Sequence, residues 1–471
     1  MAVLGHKRPA PTYPLFTELP RELVSGKLET LMQEQGAGKR WLRSFRGPIF
    51  FWLPLCLLGT YLYLELLRKF SELAPLAPAI AEKSTDMLLY REAGEAILAG
   101  DVPYRDFFIE YPPGSLLAFV PPAFFTTNQE DFTTFFASEM ALVLVATLVL
   151  TACAARILLG WWWPLPAVVF TVAALLLYPV AVTRYDALVA LTLAAASALV
   201  AGVSTLGPTN TAGSAALTAA WASLGFGAAV KLVPALASAP LVLFSGSRQG
   251  LRTLKDTVQG AAWGLAVFFG VLILFYLPAF LFGGESVVGS LAYHANRGLQ
   301  VESVGASVLM MLGYLEEVVF EYGAFEVLGH GVELLSSLSL PVTVLLLIVT
   351  GAVAYREYRE SGFGARQFPR FAAAFVLAFL LGSKVLSPQY IIWLLPLVPL
   401  SARGVWAVLV SGLFLAICWL TTQIFPYHYG EILRLESSGT SVLLWRNILL
   451  ILLWVWMLLL ASESTQQPSR E

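Results

Sequence analysis

The sequence predicts an all-α polytopic membrane protein, with about twelve transmembrane helices and short outer-face helices in large extracytoplasmic loops. Of its 471 residues, 58% are hydrophobic and 13% are charged, whereas soluble domains carry about 25% charged residues. The mean hydropathy is +0.73, and long stretches contain no charge. A net charge of -2 gives no indication of a nucleic-acid partner.

Charge-free stretches locate the spans, because a transmembrane helix needs about 20 mainly apolar residues that bond their backbone groups internally. The 44 residues between Asp186 and Lys231 carry no charge. Residues 202–213 are rich in Gly, Pro, Ser and Thr, which predicts two helices joined by a polar turn there. The other predicted spans are 47–64, 132–154, 161–183, 257–284, 334–355, 404–430 and 447–462, with shorter apolar pieces at 232–244, 371–383 and 385–400.

Lys and Arg residues indicate the orientation, because they are enriched in cytoplasmic loops. Eight of them precede the first span, so both termini are predicted to be cytoplasmic in a plasma-membrane protein. Residues 1–46 are expected to form a cytoplasmic extension, either an amphipathic helix on the inner leaflet or a partner-docking segment. Residues 47–462 form the membrane domain and residues 463–471 a short cytoplasmic tail. Two large polar segments, 68–131 and 285–333, are then placed on the outer face.

Carboxylates and aromatic residues are concentrated in the first outer loop. Asp86 and Tyr90 are four residues apart, which places them on one face of a short helix. The Pro-Pro pair beginning at Pro112 favours an extended turn that directs Glu110 and Tyr111. Such a loop suits the presentation of an acid to a bound hydroxyl. In the alternative interpretation, Asp86 only stabilises the positive end of a helix and the prolines only form a turn.

Four basic residues at the predicted outer boundary oppose the orientation rule: Arg184, Lys231, Arg297 and Lys384. Lys231 and Lys384 each precede a proline in a short apolar stretch, where a broken helix leaves a cation facing a cavity. An anion is the natural ligand of such cations. The alternatives are contact with lipid headgroups or ion pairs with carboxylates of the chain. The candidate carboxylates are Asp86, Asp106, Asp186 and Glu302.

Several motifs follow one another in an order that resembles a known family. They are Asp86-x-x-x-Tyr90, Gly100-x-x-x-Tyr104-x-Asp106, Glu110-Tyr111-Pro112-Pro113, Lys231-x-x-Pro234, the stretch from His294 to Ser303, and Ser387-Pro388-Gln389-Tyr390. Together they resemble the integral-membrane mannosyltransferases that use polyprenyl-phosphate-mannose, glycosyltransferase family 87 of the GT-C superfamily. The resemblance spans most of the chain, but the polar extension before the first helix is not part of the family pattern.

The resemblance implies a GT-C fold and an inverting transfer of a hexose, usually mannose, from a polyprenyl-phosphate carrier to an acceptor outside the cytoplasmic membrane. One carboxylate must take the proton of the attacking hydroxyl, and the family's first-loop aspartate corresponds to Asp86, with Asp106 as the runner-up. Fixed positive charge stabilises the departing phosphate. The expected donor phosphate-binding residues are Arg297, Lys231, Lys384, Arg184 and His294. The expected acceptor or sugar-binding residues are Tyr90, Tyr104, Asp106, Glu110, Tyr111 and Glu302.

The expected partners are membrane lipid, the polyprenyl-phosphate-linked sugar as donor substrate, and a glycolipid or glycan acceptor. No metal is expected, because the three cysteines and four histidines lack metal-ligand spacing. A nucleotide-sugar donor is disfavoured because predicted cytoplasmic segments contain no Gly-rich phosphate loop. The alternative function is a polytopic transporter or flippase for a lipid-linked or anionic substrate, although the two halves show no convincing repeat. A scaffold role leaves the outer cations unexplained.

Overall fold

The computed structural model describes residues 49–73, 85–207 and 210–460, which are mostly helical. The segments 1–46 and 463–471 therefore lie outside the described residues. The helices are α1 (Ile49–Leu73), α2 (Thr85–Ala99), α3 (Val120–Phe125), α4 (Gln129–Leu159), α5 (Pro164–Leu176), α6 (Tyr178–Ala181), α7 (Asp186–Ser204), α8 (Thr211–Val230), α9 (Ser238–Arg248), α10 (Leu254–Gly260), α11 (Ala262–Gly283), α12 (Glu285–Ala295), α13 (Val304–Leu312), α14 (Val332–Ser361), α15 (Gln367–Gly382), α16 (Gly404–Thr422), α17 (Tyr429–Leu433) and α18 (Ser437–Leu459).

Within this described part, eight helices are long and apolar enough to cross a membrane: α1, α4, α7, α8, α11, α14, α16 and α18. Four shorter apolar helical segments lie at Pro113–Phe125, Pro164–Leu176, Gln367–Gly382 and Pro388–Leu400. The predicted class of an all-α polytopic membrane protein is confirmed, and the helix number is close to the predicted one. The orientation of the termini stays a prediction.

Helix α7 forms the centre of the bundle, where it packs between α4 and α8. Its alanines Ala190, Ala194 and Ala201 are fully buried. Small side chains allow helix backbones to approach closely, which is a main source of packing energy between helices in lipid. By contrast, α11 and α14 bury few of their residues within the chain. Their apolar side chains are therefore available to contact lipid.

Three predicted spans differ from the structure, and prolines or a buried charge explain each difference. The 161–183 stretch contains α5 and then α6, because Pro179 interrupts the helix. The 385–400 stretch is extended at first and then forms the 3-10 helices Pro388–Leu394 and Val398–Leu400. The last helix begins ten residues earlier than the predicted 447, because it contains the buried Arg446.

The second polar segment, 285–333, which is predicted to lie on the outer face, contains a β-hairpin that its sequence pattern does not predict. Strand β1 (Leu315–Glu321) pairs antiparallel with β2 (Ala324–Gly329). The turn residues Tyr322 and Gly323 both have positive φ, 46° and 68°, as in tight two-residue hairpin turns. A small second core unites this hairpin with α13, α17 and α18. Its buried residues are Leu299, Val301, Ala306, Leu309, Val327, Val332, Ile424, Ile432 and Leu443.

The turn that follows the Pro-Pro pair lies directly against the end of α8. A Cβ atom added at Gly114 would lie 2.6 Å from the carbonyl carbon of Ala229 and 2.7 Å from its oxygen. Gly114→Ala is therefore expected to destabilise the protein by about 1–3 kcal/mol through overpacking. The measurement is thermal unfolding in detergent. Gly270→Ala in α11 is the control, because a Cβ there meets no neighbouring atom of the described residues within 4 Å; equal melting temperatures for the two variants would contradict this packing argument.

Candidate active site

A cavity of about 540 Å³ brings together most of the charged residues that the sequence analysis selected. The segments that meet there are the predicted first outer loop (68–131), the facing ends of α7 and α8, the segment 296–303, the hairpin turn and the segment 383–390. Its charged lining residues are Asp86, Glu110, Arg184, Asp186, Lys231, Arg297, Glu302 and Lys384. Residues distant in the sequence thus form one polar site within a largely apolar helical protein.

Asp86 lies in the first turn of α2, where the positive end of the helix favours a carboxylate. Its Oδ2 is 3.0 Å from Nε of Arg184, and its Oδ1 accepts a 3.2 Å hydrogen bond from the hydroxyl of Tyr111. The Asp86 side chain is still 23% exposed, and it lines the cavity. It is therefore a carboxylate that is held in place on two sides and remains accessible.

An aromatic cluster supports this carboxylate from behind. The ring of Tyr90 stacks on Phe119 at 4.3 Å and meets the rings of Tyr111 and Tyr185 edge-on. Burial raises the pKa of Tyr111 well above its ordinary value, so its hydroxyl keeps the proton that it donates to Asp86. Tyr90 is one of the residues that line the cavity. Because its side chain is only 1% exposed, its main contribution is to the packing of the cavity wall.

Glu110 and Arg297 connect the first outer loop to the hairpin. The Oε2 atom of Glu110 is 3.4 Å from Nη2 of Arg297. The Nε–H of Arg297 donates a 2.9 Å hydrogen bond to the carbonyl oxygen of Tyr322, and the guanidinium lies 5.4 Å from the centre of the Tyr293 ring. Both charged side chains are almost buried, at 12% and 10% exposure. Arg297 is therefore a cation with a fixed orientation on the cavity wall.

Stability should depend on pH through Glu110. Burial raises the pKa of this carboxyl above its ordinary 4.5, although Arg297 opposes the shift. Between pH 4.5 and the raised pKa, the folded protein holds a proton on Glu110 that the unfolded chain releases. The contribution of Glu110 to stability is therefore complete below pH 4.5 and is lost as the pH rises through the raised pKa. Glu110→Gln stays neutral throughout. Its melting temperature is expected to rise relative to wild type between pH 4.5 and 8; a constant difference would contradict the assignment.

Lys231 has a different setting from the one expected. It caps the end of α8, and its Nζ lies 2.8 Å from Oδ1 of Asp186, the first residue of α7. The indole Nε1–H of Trp393 donates a 2.7 Å hydrogen bond to the same oxygen. Arg184 is likewise paired, with Asp86. Ion pairing within the chain, the alternative stated above, therefore describes both cations in this structure.

Lys384 and Glu302 are joined through Gln300. The backbone N–H of Gln300 donates to the carbonyl oxygen of Lys384 at 2.9 Å, and its side-chain oxygen accepts from Leu386 N–H at 3.1 Å. The Gln300 amide also donates to Glu302 at 3.4 Å. Burial lowers the pKa of Lys384. These bonds connect the backbone of the lysine-bearing segment to the carboxylate of Glu302.

Glu302 is completely buried beside the equally buried Arg446 of α18. The Nη2 of Arg446 lies 3.7 Å from the carboxylate and donates a 3.0 Å hydrogen bond to the carbonyl oxygen of the same residue. The Asn447 amide donates to carbonyl oxygens of Glu302 and Ser303. Burial raises the pKa of Glu302, and Arg446 opposes this effect. The pair thus anchors the outer segment to a membrane helix.

The structure does not place every predicted residue in the cavity. The hydroxyl of Tyr104 donates a 2.6 Å hydrogen bond to the Tyr111 carbonyl oxygen, so Tyr104 braces the loop from outside. Asp106 closes a turn by accepting from the N–H of Val102, and Arg105 and then this N–H hold its pKa at about 2. Neither residue lines this cavity, and their expected ligand roles stay predictions. His294 belongs to α12, but its side chain lies outside the described part.

Several residues that line the cavity are not among the site residues predicted from the sequence. The sequence indicates Asp186 only as an ion-pair partner, and Gln389 and Tyr390 only as part of a motif. The signal for Asp186 was present, since it and Lys231 bound the charge-free stretch that folds as the α7–α8 hairpin, and the two ends of a hairpin meet. Arg446 gave no such signal. Among residues 49–73, 85–207 and 210–460, no three His, Cys, Asp or Glu side chains group as a metal site.

Two crystal structures of ArnT from Cupriavidus metallidurans resemble the chain. The structure bound to undecaprenyl phosphate is 15% identical, covers 78% of this chain and 72% of that chain, and has a TM-score of 0.41. The apo structure is 14% identical, covers 83% of this chain and 78% of that chain, and has a TM-score of 0.43. Neither likeness assigns a role to any residue here. No protein-family profile matches the sequence, and no curated protein matches it.

Proposed function

We propose that this protein is an integral-membrane glycosyltransferase of the GT-C type. It moves a hexose, and by the sequence resemblance mannose, from a polyprenyl-phosphate donor to an extracytoplasmic lipid or glycan acceptor. The observation that carries the proposal is the combination, in one cavity, of the accessible carboxylate of Asp86 with the cations Arg297 and Lys384. A base and a phosphate-binding group on the walls of one cavity are what transfer from a sugar phosphate requires.

In the proposed reaction, an acceptor hydroxyl oxygen attacks the anomeric carbon of the donor sugar. The bond between that carbon and the phosphate oxygen breaks, and its electron pair leaves with the phosphate. The hydroxyl proton passes to Asp86. Attack opposite the leaving group inverts the anomeric configuration. Arg184 and Tyr111 hold Asp86 in place on the cavity wall, so its carboxylate is positioned to accept this proton.

Positive charge is needed where the departing phosphate gains negative charge. Arg297 suits this task because its guanidinium is oriented by the Tyr322 carbonyl oxygen and reaches the cavity wall. Lys384 lies on a non-helical segment whose backbone is hydrogen-bonded to Gln300. We assign these two residues to the donor phosphate. Arg184 instead holds the general base Asp86 in place through their ion pair, and Lys231 is paired with Asp186.

The experiment is sugar transfer by the purified protein in detergent, from radiolabelled polyprenyl-phosphate-mannose to a crude lipid-acceptor extract. Transfer by the wild type is the expected result. If mannose and other polyprenyl-phosphate sugars are all left untransferred by folded protein, the glycosyltransferase proposal fails. Net movement of the lipid-linked sugar across reconstituted vesicles would then support the transporter alternative.

Arg297→Met should lower kcat by about 10²- to 10³-fold, the usual cost of removing one group that stabilises charge in the transition state. The matched control is Arg105→Met, because Arg105 is an exposed arginine paired with Asp106 and does not line the cavity. We expect the control to transfer sugar at the wild-type rate. Comparable losses in both variants would argue against a phosphate-binding role for Arg297. Melting temperatures would identify any loss caused by unfolding.

A further inference from the structure

Lys231 lies among aromatic side chains that the proposed reaction does not use. Its Nζ is 4.8 Å from the centre of the Tyr390 ring and 5.1 Å from those of Tyr185 and Trp393. The carboxylate of Asp186 accepts hydrogen bonds from both the Lys231 ammonium and the Trp393 indole. Three rings and a carboxylate therefore surround this one ammonium group.

This setting is poorly suited to binding phosphate. A carboxylate at 2.8 Å balances the charge of Lys231, and the electron-rich ring faces stabilise the same cation. Lys231 therefore offers little net positive charge to an anion. The side chain is nevertheless 20% exposed and lines the cavity, whereas Asp186 is only 1% exposed. It remains a rigid hydrogen-bond donor at the cavity wall.

Two polar residues, Gln389 and Tyr390, line the same cavity as Lys231. Both are partly exposed. The Tyr390 ring is fixed by stacking on Trp393 at 4.3 Å. An amide, a phenol and a charge-balanced ammonium are groups that can donate to or accept from hydroxyls, and an aromatic ring also covers apolar C–H surface. Together they suit a hydroxyl-bearing sugar ring better than a phosphate.

The order of these residues along the chain agrees with separate binding sites for the phosphate and for the sugar ring. Gln389 and Tyr390 follow Lys384 on the same segment, which is non-helical at residues 383–387 before the 3-10 helix Pro388–Leu394 begins. If the donor phosphate binds at Lys384 and Arg297, then Gln389 and Tyr390 are the next residues of the same segment that line the cavity. In a sugar phosphate, the ring is also directly bonded to the phosphate.

We propose that Lys231, Gln389 and Tyr390 form the subsite that binds the sugar ring of the donor and determines its specificity. This inference rests on the proposed glycosyltransferase function. It predicts that the three residues recognise the sugar-loaded carrier but contribute little to binding of the bare carrier.

The test compares two constants for each protein: KM for polyprenyl-phosphate-mannose and the inhibition constant of unloaded polyprenyl phosphate. The variants are Tyr390→Phe, which keeps the ring and removes the hydroxyl, and Gln389→Leu. The double variant Lys231→Met with Asp186→Asn removes the ammonium without leaving a buried carboxylate unpaired. Each is expected to raise KM for the loaded donor by about 3- to 10-fold, the value of one hydrogen bond. The inhibition constant of the bare carrier should change by less than about twofold, which is less than the effect of one hydrogen bond.

Two results would overturn the subsite. Equal weakening of loaded and bare carrier would mean that these residues bind phosphate. Unchanged constants in folded variants would mean that the Lys231–Asp186 pair is only a structural crosslink. Both results presuppose wild-type transfer and so leave the proposed function in place. Failure of the proposed function is seen separately, as a wild-type protein that transfers no sugar. Arg297→Met is the positive control, since it should weaken binding of both carriers.

Discussion

Asp86→Asn is expected to reduce sugar transfer by about 10²- to 10⁴-fold, the usual contribution of a positioned general base. Asparagine keeps the shape of the side chain and can still accept the hydrogen bond from Tyr111, but it cannot accept the proton of an acceptor hydroxyl. The loss should therefore appear in kcat, with little change in KM for the donor. The measurement is steady-state transfer from polyprenyl-phosphate-mannose, with intact folding shown by the melting temperature.

The matched control is Asp106→Asn, because this aspartate belongs to the same loop but does not line the cavity. Its carboxylate is held by Arg105 and the Val102 N–H, and a pKa of about 2 makes it a weak base. We expect this variant to transfer sugar at nearly the wild-type rate. The opposite pattern, with activity retained in Asp86→Asn and lost in Asp106→Asn, would transfer the base role to Asp106.

Arg446→Met is expected to have the largest effect on stability. Both Arg446 and Glu302 are fully buried, so removal of the guanidinium leaves a carboxylate without its compensating charge. Breaking a buried pair in this way typically costs about 3–5 kcal/mol. The measurement is thermal unfolding in detergent. Since burial already raises the pKa of Glu302, the carboxyl of the variant can take up a proton, and the loss of stability should be smaller at acidic pH.

A second substitution separates the ion pair from simple packing. The double variant Arg446→Met with Glu302→Gln carries no buried charge at this position, so it should recover much of the lost stability. A double variant as unstable as the single one would show that the uncompensated charge is not the cause. Arg434→Met is the control for loss of an arginine, because Arg434 is exposed and pairs only locally with Glu436 among the described residues. It should melt at the wild-type temperature.

The helical architecture follows from local properties of the chain, and most of it was predicted. Long apolar stretches without charge form α7, α8 and α11 because each stretch satisfies its own backbone hydrogen bonds. The same rule placed the start of α18 too late, because a charge count treats Arg446 as the end of a span. Only the fold brings Glu302 to that arginine and makes a charge inside the helix tolerable.

The hairpin in the second outer segment illustrates a different limit. Its strands are short, and Glu316 and Glu317 interrupt the alternation of apolar and polar residues. The hairpin is stabilised by its packing on segment 299–301, where the N–H of Val327 bonds the Leu299 carbonyl oxygen. A hairpin whose stability depends on contacts with residues outside it is difficult to predict from its own sequence pattern.

Composition and charge pattern are enough to identify a helical membrane protein, to locate its polar groups in two large segments, and to single out Asp86 and four cations that oppose the orientation rule. Which of these charges lie in contact depends on the packing of the folded chain. Asp186 and Lys231 are 45 residues apart, and Glu110 and Arg297 are 187 apart. The physical reason is that apolar length and helix formation are local properties, whereas an ion pair depends on how distant helix ends and loops pack. Tyr104 and Asp106 belong to the same polar segment as Asp86 but do not line the cavity, because spacing along a segment does not determine which side chains turn inward.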